Sequence, residues 1–372
     1  MSNTTPADVL VIGGGIAGYT CAITLRDLGY DGAITIVESD ASCSDHPPLS
    51  KRVLMNGAAR ADLDLATPER LEELKITVLA GVAAIEITSA GAVMADGRVL
   101  TAEAVVVAVG ATARRPTMPG ADDPRVVTLR DFDDAMRIRA AAGAGRTVLV
   151  LGGGFVGAEV AAALRALGTT VILVDPHETP GAYVLGDTLA GWLNVMHVTH
   201  GVDLRTTTVS SIDASGDLLA VALANGATVA ADLVVAGLGV EPRVLPGVEL
   251  VEPAGGIVIA ASAHWDAARL DGMDAAGSLL GRDPAPRGAE WCWSERYGSH
   301  IEIVGDLVGA GVDVIRAGTA VFRVAGDRLL GAASIDDPMT IRAARRIIDR
   351  GISVEPSVLA DPTVSLRQML RG

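Results

Sequence analysis

Residues Val9 to Glu38 read VLVIGGGIAGYTCAITLRDLGYDGAITIVE. Val9 to Ile12 is a short, wholly apolar run, the pattern of a strand buried on both faces. Gly13, Gly15 and Gly18 then satisfy G-x-G-x-x-G. The first glycine permits the tight turn, the second lets backbone approach a pyrophosphate, and the third lets a helix pack closely on a sheet. The helix that follows has Cys21, Ala22, Ile23, Leu25 and Leu28 on its inner side and is expected to stop at Gly29. A second β-run, Ile34 to Val37, ends in Glu38, 25 residues beyond Gly13. An acid about 20 residues after the first glycine is the usual ribose-binding carboxylate of a dinucleotide unit.

The pattern recurs. Val148 to Leu151 is another apolar strand, followed by Gly152, Gly154 and Gly157, a helix through Leu164 and Leu167 to Gly168, and a strand Val171 to Val174 ending in Asp175. Gly13 to Leu25 and Gly152 to Leu164 both span 12 positions. Two βαβ nucleotide units at matched spacing imply two dinucleotides, or one used and one vestigial.

The chain has 372 residues, 49% apolar and 20% charged, which suits two or three globular domains. A net charge of −15 argues against nucleic acid and anionic membrane as partners. There is no 20-residue apolar span and no basic, cleavable leader, so a cytoplasmic location is expected. Cys21, Cys43 and Cys292 form no close pair, and no H-E-x-x-H occurs. Neither a local redox disulfide nor a metal site is therefore proposed.

Between the nucleotide units, His46-Pro47-Pro48-Leu49-Ser50-Lys51 suggests an ordered loop opening a short helix. Short β-runs with turns at Ala90-Gly91 and Asp96-Gly97 fill Ile76 to Val99, and a buried strand Ala104 to Val109 follows. Asp131 to Ala142 is expected to be helical. Val202 to Val229 repeats the β-runs, with turns at Ser215-Gly216 and Asn225-Gly226. Leu233 to Ala236 is a buried strand, Ile301 to Ala333 is strand-rich, and Met339 to Arg350 is a helix.

Taken together, VLVIGGGIAG, PPLSK at 47–51, AVGATARRP at 108–116, LRDFDDA at 129–135, VLGGGFVGAEVA at 150–161, GLGVEP at 237–242 and EWCWSERY at 290–297 resemble a known family. It is the two-nucleotide flavoprotein reductases, of the pyridine nucleotide-disulfide oxidoreductase superfamily, that pass electrons from NADH to ferredoxins of the rhodocoxin, putidaredoxin and biphenyl-dioxygenase type. The resemblance implies an α/β fold with two Rossmann-like, three-layer ββα dinucleotide domains and a C-terminal α+β reductase domain. The FAD domain would be split, over 1–115 and 235–288. The NAD domain would span 116–234, and a dimerisation or partner domain 289–372.

The same resemblance implies site residues. Gly13, Gly15, Ile16, Ala17 and Gly18 would form the FAD pyrophosphate turn, with Glu38 on the adenosine ribose. Val82, Gly110, Arg130, Gly239 and Trp293 would be further cofactor contacts. Lys51 would lie beside the flavin ring, with Glu159 as its carboxylate partner near the nicotinamide. A cation there stabilises the anionic reduced flavin. The bland readings are a surface lysine for Lys51, a first-turn helix acid for Glu159 and a surface salt-bridge former for Arg130. Gly152, Gly154, Val156 and Gly157 would hold the phosphates of the nicotinamide dinucleotide. Asp175 would bind its ribose and repel a 2′-phosphate, favouring NADH over NADPH. Hydride would pass from nicotinamide to flavin, and single electrons to a ferredoxin.

Some positions depart from the family. Ala276-Gly277-Ser278 stands where the family has alanine-glycine-aspartate, which would put Ser278 at the FAD ribityl chain. Only 13 positions then lead to Trp291, so a helix that the family aims at the flavin is expected to be largely lost. His46 replaces an arginine and Glu290 a proline. These departures motivate a second reading, a repurposed protein with lost or structural flavin that acts on or binds a small molecule. Arg342, Arg345, Arg346 and Arg350 share one helix face that could meet an acidic ferredoxin, although a solvated face is the simpler account. Trp291 and Trp293 are equally explained as core aromatics.

Overall fold

The computed structural model describes residues 5–248, 257–259, 262 and 264–371. The chain divides into two compact units. One comprises Met1–Pro47, Ala59–Thr112 and Val240–Arg287; the other comprises Pro48–Ala58, Ala113–Gly239 and Gly288–Gly372.

In the first unit Asp8–Ile12 is the middle strand of a five-stranded parallel sheet. Ala33–Glu38 and then Ile76–Ala80 lie on one side, Ala104–Val107 and then Ile257–Ile259 on the other. The middle strand is apolar throughout because both of its faces are covered. Val9 and Val11 pack against Cys21, Ala22 and Leu25 of the helix Ile16–Asp27 and against Ala275 and Ala276. Leu10 and Ile12 face Ile87, Ala92 and Met94 of a three-stranded antiparallel sheet.

The helix Trp265–Leu279 lies against Ile16–Asp27. Its contact is made by small side chains. Ala268 packs with Ala17 and Ala108, and Ile16 lies against all three. A methyl group on Gly272 would come within 2.2 Å of the Ala17 carbonyl oxygen. This helix bears on two expectations. Ala276-Gly277-Ser278 forms the last turn of the helix, with Ala276 and Gly277 buried and Ser278 exposed. Ser278 lies about 15 Å along the axis from Ala268 at 1.5 Å per residue. Moreover, a helix does follow the last strand, and its first turns meet Ala17 and Ala108 at the carboxyl edge of the sheet. Alanine and glycine are frequent in it, so its apolar periodicity is weak and its two glycines look like breaks; Gly272 serves close helix–helix approach instead.

The second unit repeats the parallel sheet. Thr147–Leu151 is central, with Thr170–Asp175 and Asp203–Thr206 on one side and Leu233–Ala236 and Val126–Thr128 on the other. A second three-stranded antiparallel sheet covers one face through Ile212, Leu219 and Val221. The same unit holds a five-stranded antiparallel sheet, in the order Trp291–Arg296, Ser299–Gly305, Arg328–Ile335, Ala320–Ala325, Val312–Arg316. Pro338–Arg350 packs on that sheet through Ile341, Ala344 and Ile347, leaving Arg342, Arg346 and Arg350 exposed. The helix Asp187–Thr199, not anticipated from the sequence, packs against Ile301, Ile303 and Val321 through Leu189 and Leu193. Among the described residues no helix is long and apolar enough to cross a membrane, and no group of three or more His, Cys, Asp or Glu could hold a metal ion.

The Gly272 contact is open to test. Gly272→Ala should destabilise the protein by about 1–3 kcal/mol, because the methyl meets backbone that cannot swing away. An unchanged urea midpoint would show that the two helices can part at little cost.

Candidate active site

In the first unit the glycine turn is pinned at both ends. The Gly13 amide donates to the Val37 carbonyl at 2.8 Å, and Gly13 has φ +103°. A Cβ on Gly18 would lie 1.9 Å from the Gly13 carbonyl oxygen, so only glycine lets the helix start this close. At Gly15 a Cβ would meet no atom within 4 Å, so the backbone there borders open space. The nearly buried Glu38 carboxylate accepts from the Gly14 amide at 2.6 Å, the Asp40 amide at 2.8 Å and the Ser39 hydroxyl at 3.0 Å. The Val82 amide donates to the Glu38 carbonyl at 3.1 Å, which places Val82 beside the turn. First-turn amides of a helix lack partners within it, and they carry the positive end of its dipole. An open glycine, these amides and an acid at the strand end fit a dinucleotide pyrophosphate and ribose. Gly110, with φ +66°, ends the neighbouring strand region of the same unit.

The second unit has its own turn. Gly152 has φ +91°, and a Cβ on Gly157 would sit 2.0 Å from the Gly152 carbonyl oxygen. The buried Asp175 carboxylate accepts from the Gly153 amide at 2.7 Å and the His177 amide at 2.9 Å, and lies 2.8 Å from His177 Nδ1. Tyr183, tilted against His177, brings its hydroxyl to 2.9 Å from where a Gly154 Cβ would point. His177 and Tyr183 were not singled out from the sequence, and only their closeness to Asp175 in the chain hinted at them. Val156 is partly exposed on the following helix, and Gly239 has φ +83° beyond the Leu233–Ala236 strand.

Also in the second unit, Lys51 meets Glu159. The helical path of Leu49–Val53 breaks at Lys51, with φ −111° and ψ −105°. Its Nζ lies 2.9 Å from Glu159 Oε2. Ser50 donates a short hydrogen bond to the same oxygen. Ser294 donates to Oε1 at 2.7 Å. Glu159 is only 4% exposed, and Lys51 Nζ is 5.8 Å from the Trp293 ring centroid, itself stacked on Trp291 at 5.0 Å. A solvated lysine and a helix-end acid are thereby replaced by a buried ion pair whose carboxylate is bonded on both oxygens. Lys51 and Lys75 are the only lysines of the chain. Where arginine serves nearly every other cationic position, a compact ammonium at 51 is a specific choice. Ser50 and Ser294 lay inside quoted motifs but carried no expected role, since a serine's partner is visible only in three dimensions. Arg130, at the start of the Phe132–Ala140 helix, belongs to this unit and not to that of the first glycine turn.

Residues 7–269 match the model of the pyridine nucleotide-disulphide oxidoreductases, and residues 291–370 match the reductase C-terminal domain. The chain belongs to the pyridine nucleotide-disulphide oxidoreductase family. Rhodocoxin reductase of Rhodococcus erythropolis is 30% identical over 96% of this chain and 93% of its own. The ferredoxin–NAD(+) reductase component of the anthranilate 1,2-dioxygenase system of Burkholderia cepacia is 32% identical over 97% and 98%. Among solved structures, a covalent putidaredoxin reductase–putidaredoxin complex superposes with a TM-score of 0.89 at 26% identity, covering 98% of each chain. The two sequence alignments run over 402 and 407 positions, more than the 372 residues of the chain, so both relatives carry residues that this oxidoreductase lacks.

Beside the Lys51–Glu159 pair of this oxidoreductase lies a second buried group of polar side chains. Arg296, 2% exposed, donates from Nε to Ser294 Oγ at 3.2 Å. Burial lowers its pKa to about 10, against the opposing pull of Glu159 and Tyr297. His197, 1% exposed, has its Nδ1 2.7 Å from the Tyr297 hydroxyl. Burial first, then the charges of Arg296 and His200, push His197 down to about 3. The folded protein therefore keeps His197 neutral where the unfolded chain, near its ordinary pKa of about 6.5, takes up a proton. Its contribution to stability is complete above about pH 6.5 and is lost as pH falls from there towards 3. Between pH 7 and pH 5 the loss is about 2 kcal/mol at about 1.4 kcal/mol per unit. His197→Asn should flatten this part of the fall in urea unfolding at the two pH values; an identical fall in the variant would assign it to other groups.

Proposed function

We propose that this protein is an FAD-dependent NADH oxidoreductase that hands electrons to a ferredoxin-like acceptor. The observation that carries the reading is the buried Lys51–Glu159 pair in a chain with two built glycine turns. Membership of the family, and relatives named as ferredoxin–NAD(+) and rhodocoxin reductases, support it.

Gly13, Gly15, Ile16, Ala17, Gly18, Glu38, Val82 and Gly110 are the residues of the first unit assigned to hold FAD. Gly152, Gly154, Val156, Gly157, Asp175 and Gly239 are assigned to NADH. When bound, FAD supplies the exchange between hydride from NADH and single electrons for the acceptor. Lys51 supplies positive charge where reduction adds negative charge, and Glu159, itself held by Ser50 and Ser294, holds its ammonium in place. Trp293 walls the lysine from water. Asp175, already engaged with the Gly153 and His177 amides, presents a negative charge that accepts a ribose hydroxyl and disfavours a 2′-phosphate. The exposed Arg342, Arg346 and Arg350 form a local basic face on an acidic chain, suited to an acidic acceptor. The flavin-free reading rested on Ser278 and the shortened segment after it; the helix Trp265–Leu279 and the relatives named as ferredoxin–NAD(+) and rhodocoxin reductases favour the flavin reading over it.

The purified protein should be yellow, and NADH should bleach it under argon much faster than NADPH does. Lys51→Met should slow the bleaching by about 100-fold while NADH still binds, as expected for a group that acts on developing charge. A colourless protein that does not take up FAD would defeat the proposal.

A further inference from the structure

We propose that Tyr183 is a further binding residue of the second glycine turn, where its hydroxyl donates to the pyrophosphate of a bound dinucleotide. This rests on the assignment of that turn to NADH above, and it concerns the second unit alone. The second glycine of such a turn lacks a side chain so that a pyrophosphate can approach its backbone. The direction in which a Gly154 Cβ would point is therefore the direction of the ligand. The Tyr183 hydroxyl lies 2.9 Å from that point. A phosphate oxygen brought there stands within the reach of an O–H···O hydrogen bond, about 2.5–3.0 Å. At Gly15, the matching glycine of the first unit, a Cβ would meet no atom within 4 Å. The tyrosine is thus a device of the second turn and not a general part of the scaffold.

The backbone that carries Tyr183 is fixed on both sides. Ala182–Leu185 is a single helical turn between Gly181 and Gly186, which have φ +83° and +71°. Towards the glycine turn, a Cβ on Gly153 would lie 2.6 Å from Pro180 Cβ, and one on Gly181 3.0 Å from the Gly153 carbonyl oxygen. Asn194 Nδ2 donates to the Pro180 carbonyl at 3.1 Å. Towards the core, the buried Leu185 packs with Leu189 and Ile301. The phenol ring itself is half exposed and tilted by 31° against His177, which Asp175 holds. Its hydroxyl makes no hydrogen bond among the described residues. Burial, and then the charge of Asp175, raise the phenol above its ordinary pKa, so it stays a donor at pH 7. Residues 176–186 contain no lysine or arginine, so this segment offers a pyrophosphate a hydroxyl and not a strong cation. A half-exposed phenol on fixed backbone, with its donor unspent beside the glycine that faces the ligand, is accounted for by a ligand contact rather than by packing.

The test is calorimetric titration of the flavin-loaded protein, wild type and Tyr183→Phe, with ADP-ribose and with adenosine. ADP-ribose carries the pyrophosphate and cannot transfer hydride; adenosine carries no phosphate. Tyr183→Phe removes one oxygen from a half-exposed ring and leaves its packing on His177 intact. It should weaken ADP-ribose binding about tenfold, the usual effect of losing a hydrogen bond to a charged group, and leave adenosine binding unchanged. ADP-ribose bound equally well by the variant and by wild type overturns the inference. Equal weakening of both probes overturns it too, since that marks a structural role, and so does tighter binding, which marks the phenol as an obstruction. Wild type that takes up flavin but not ADP-ribose would instead sink the NADH assignment on which the inference stands.

Discussion

The carboxylate of Glu159 is the constraint around which the second unit is built. Taking a carboxylate and an ammonium out of water costs several kcal/mol each, and their attraction offsets this only when the remaining lone pairs are also satisfied. Ser50, Lys51 and Ser294 meet that requirement from two segments far apart in the chain. The requirement also explains why 48–58 clusters with the second unit while the residues on either side of it cluster with the first. Arg139 fastens the segment there by donating to the carbonyls of Leu54 and Met55 at 2.6 and 2.7 Å.

Around that centre the protein uses one nucleotide scaffold twice. Each parallel sheet has its glycine turn after the middle strand, and in each the acid that ends the next strand folds back to hold the amide of the second glycine in the G-G-G run, Gly14 or Gly153. The acid therefore has two duties. It fixes the turn, and the proposed function has it present charge to a ribose. The turns differ where their ligands are expected to differ: Gly15 borders open space, whereas Gly154 is overhung by the Tyr183 hydroxyl.

Small residues mark where two backbones must approach. Gly18 and Gly157 bring each helix onto its own turn, and Gly272 brings a second helix onto the first. The first two sit in a recognisable spacing. Gly272 does not, and a run of alanines and glycines looks the same in a sequence whether it is a loop or a close-packed helix. That is why the Ala276-Gly277-Ser278 run does not show itself in the sequence as the last turn of a helix.

Periodicity and spacing alone determined the two βαβ units, their terminal acids Glu38 and Asp175, the meander that follows each and the cationic face of the Pro338–Arg350 helix. These are local patterns, set by hydrogen-bond geometry within a few turns of chain. Lys51 and Glu159 could be named from motifs, but their bland alternatives were excluded only when burial and distance were known. Ser50, Ser294, Arg296 and His197 acquire their meaning wholly from tertiary structure, because each acts through a partner far away in sequence or through the water it has lost.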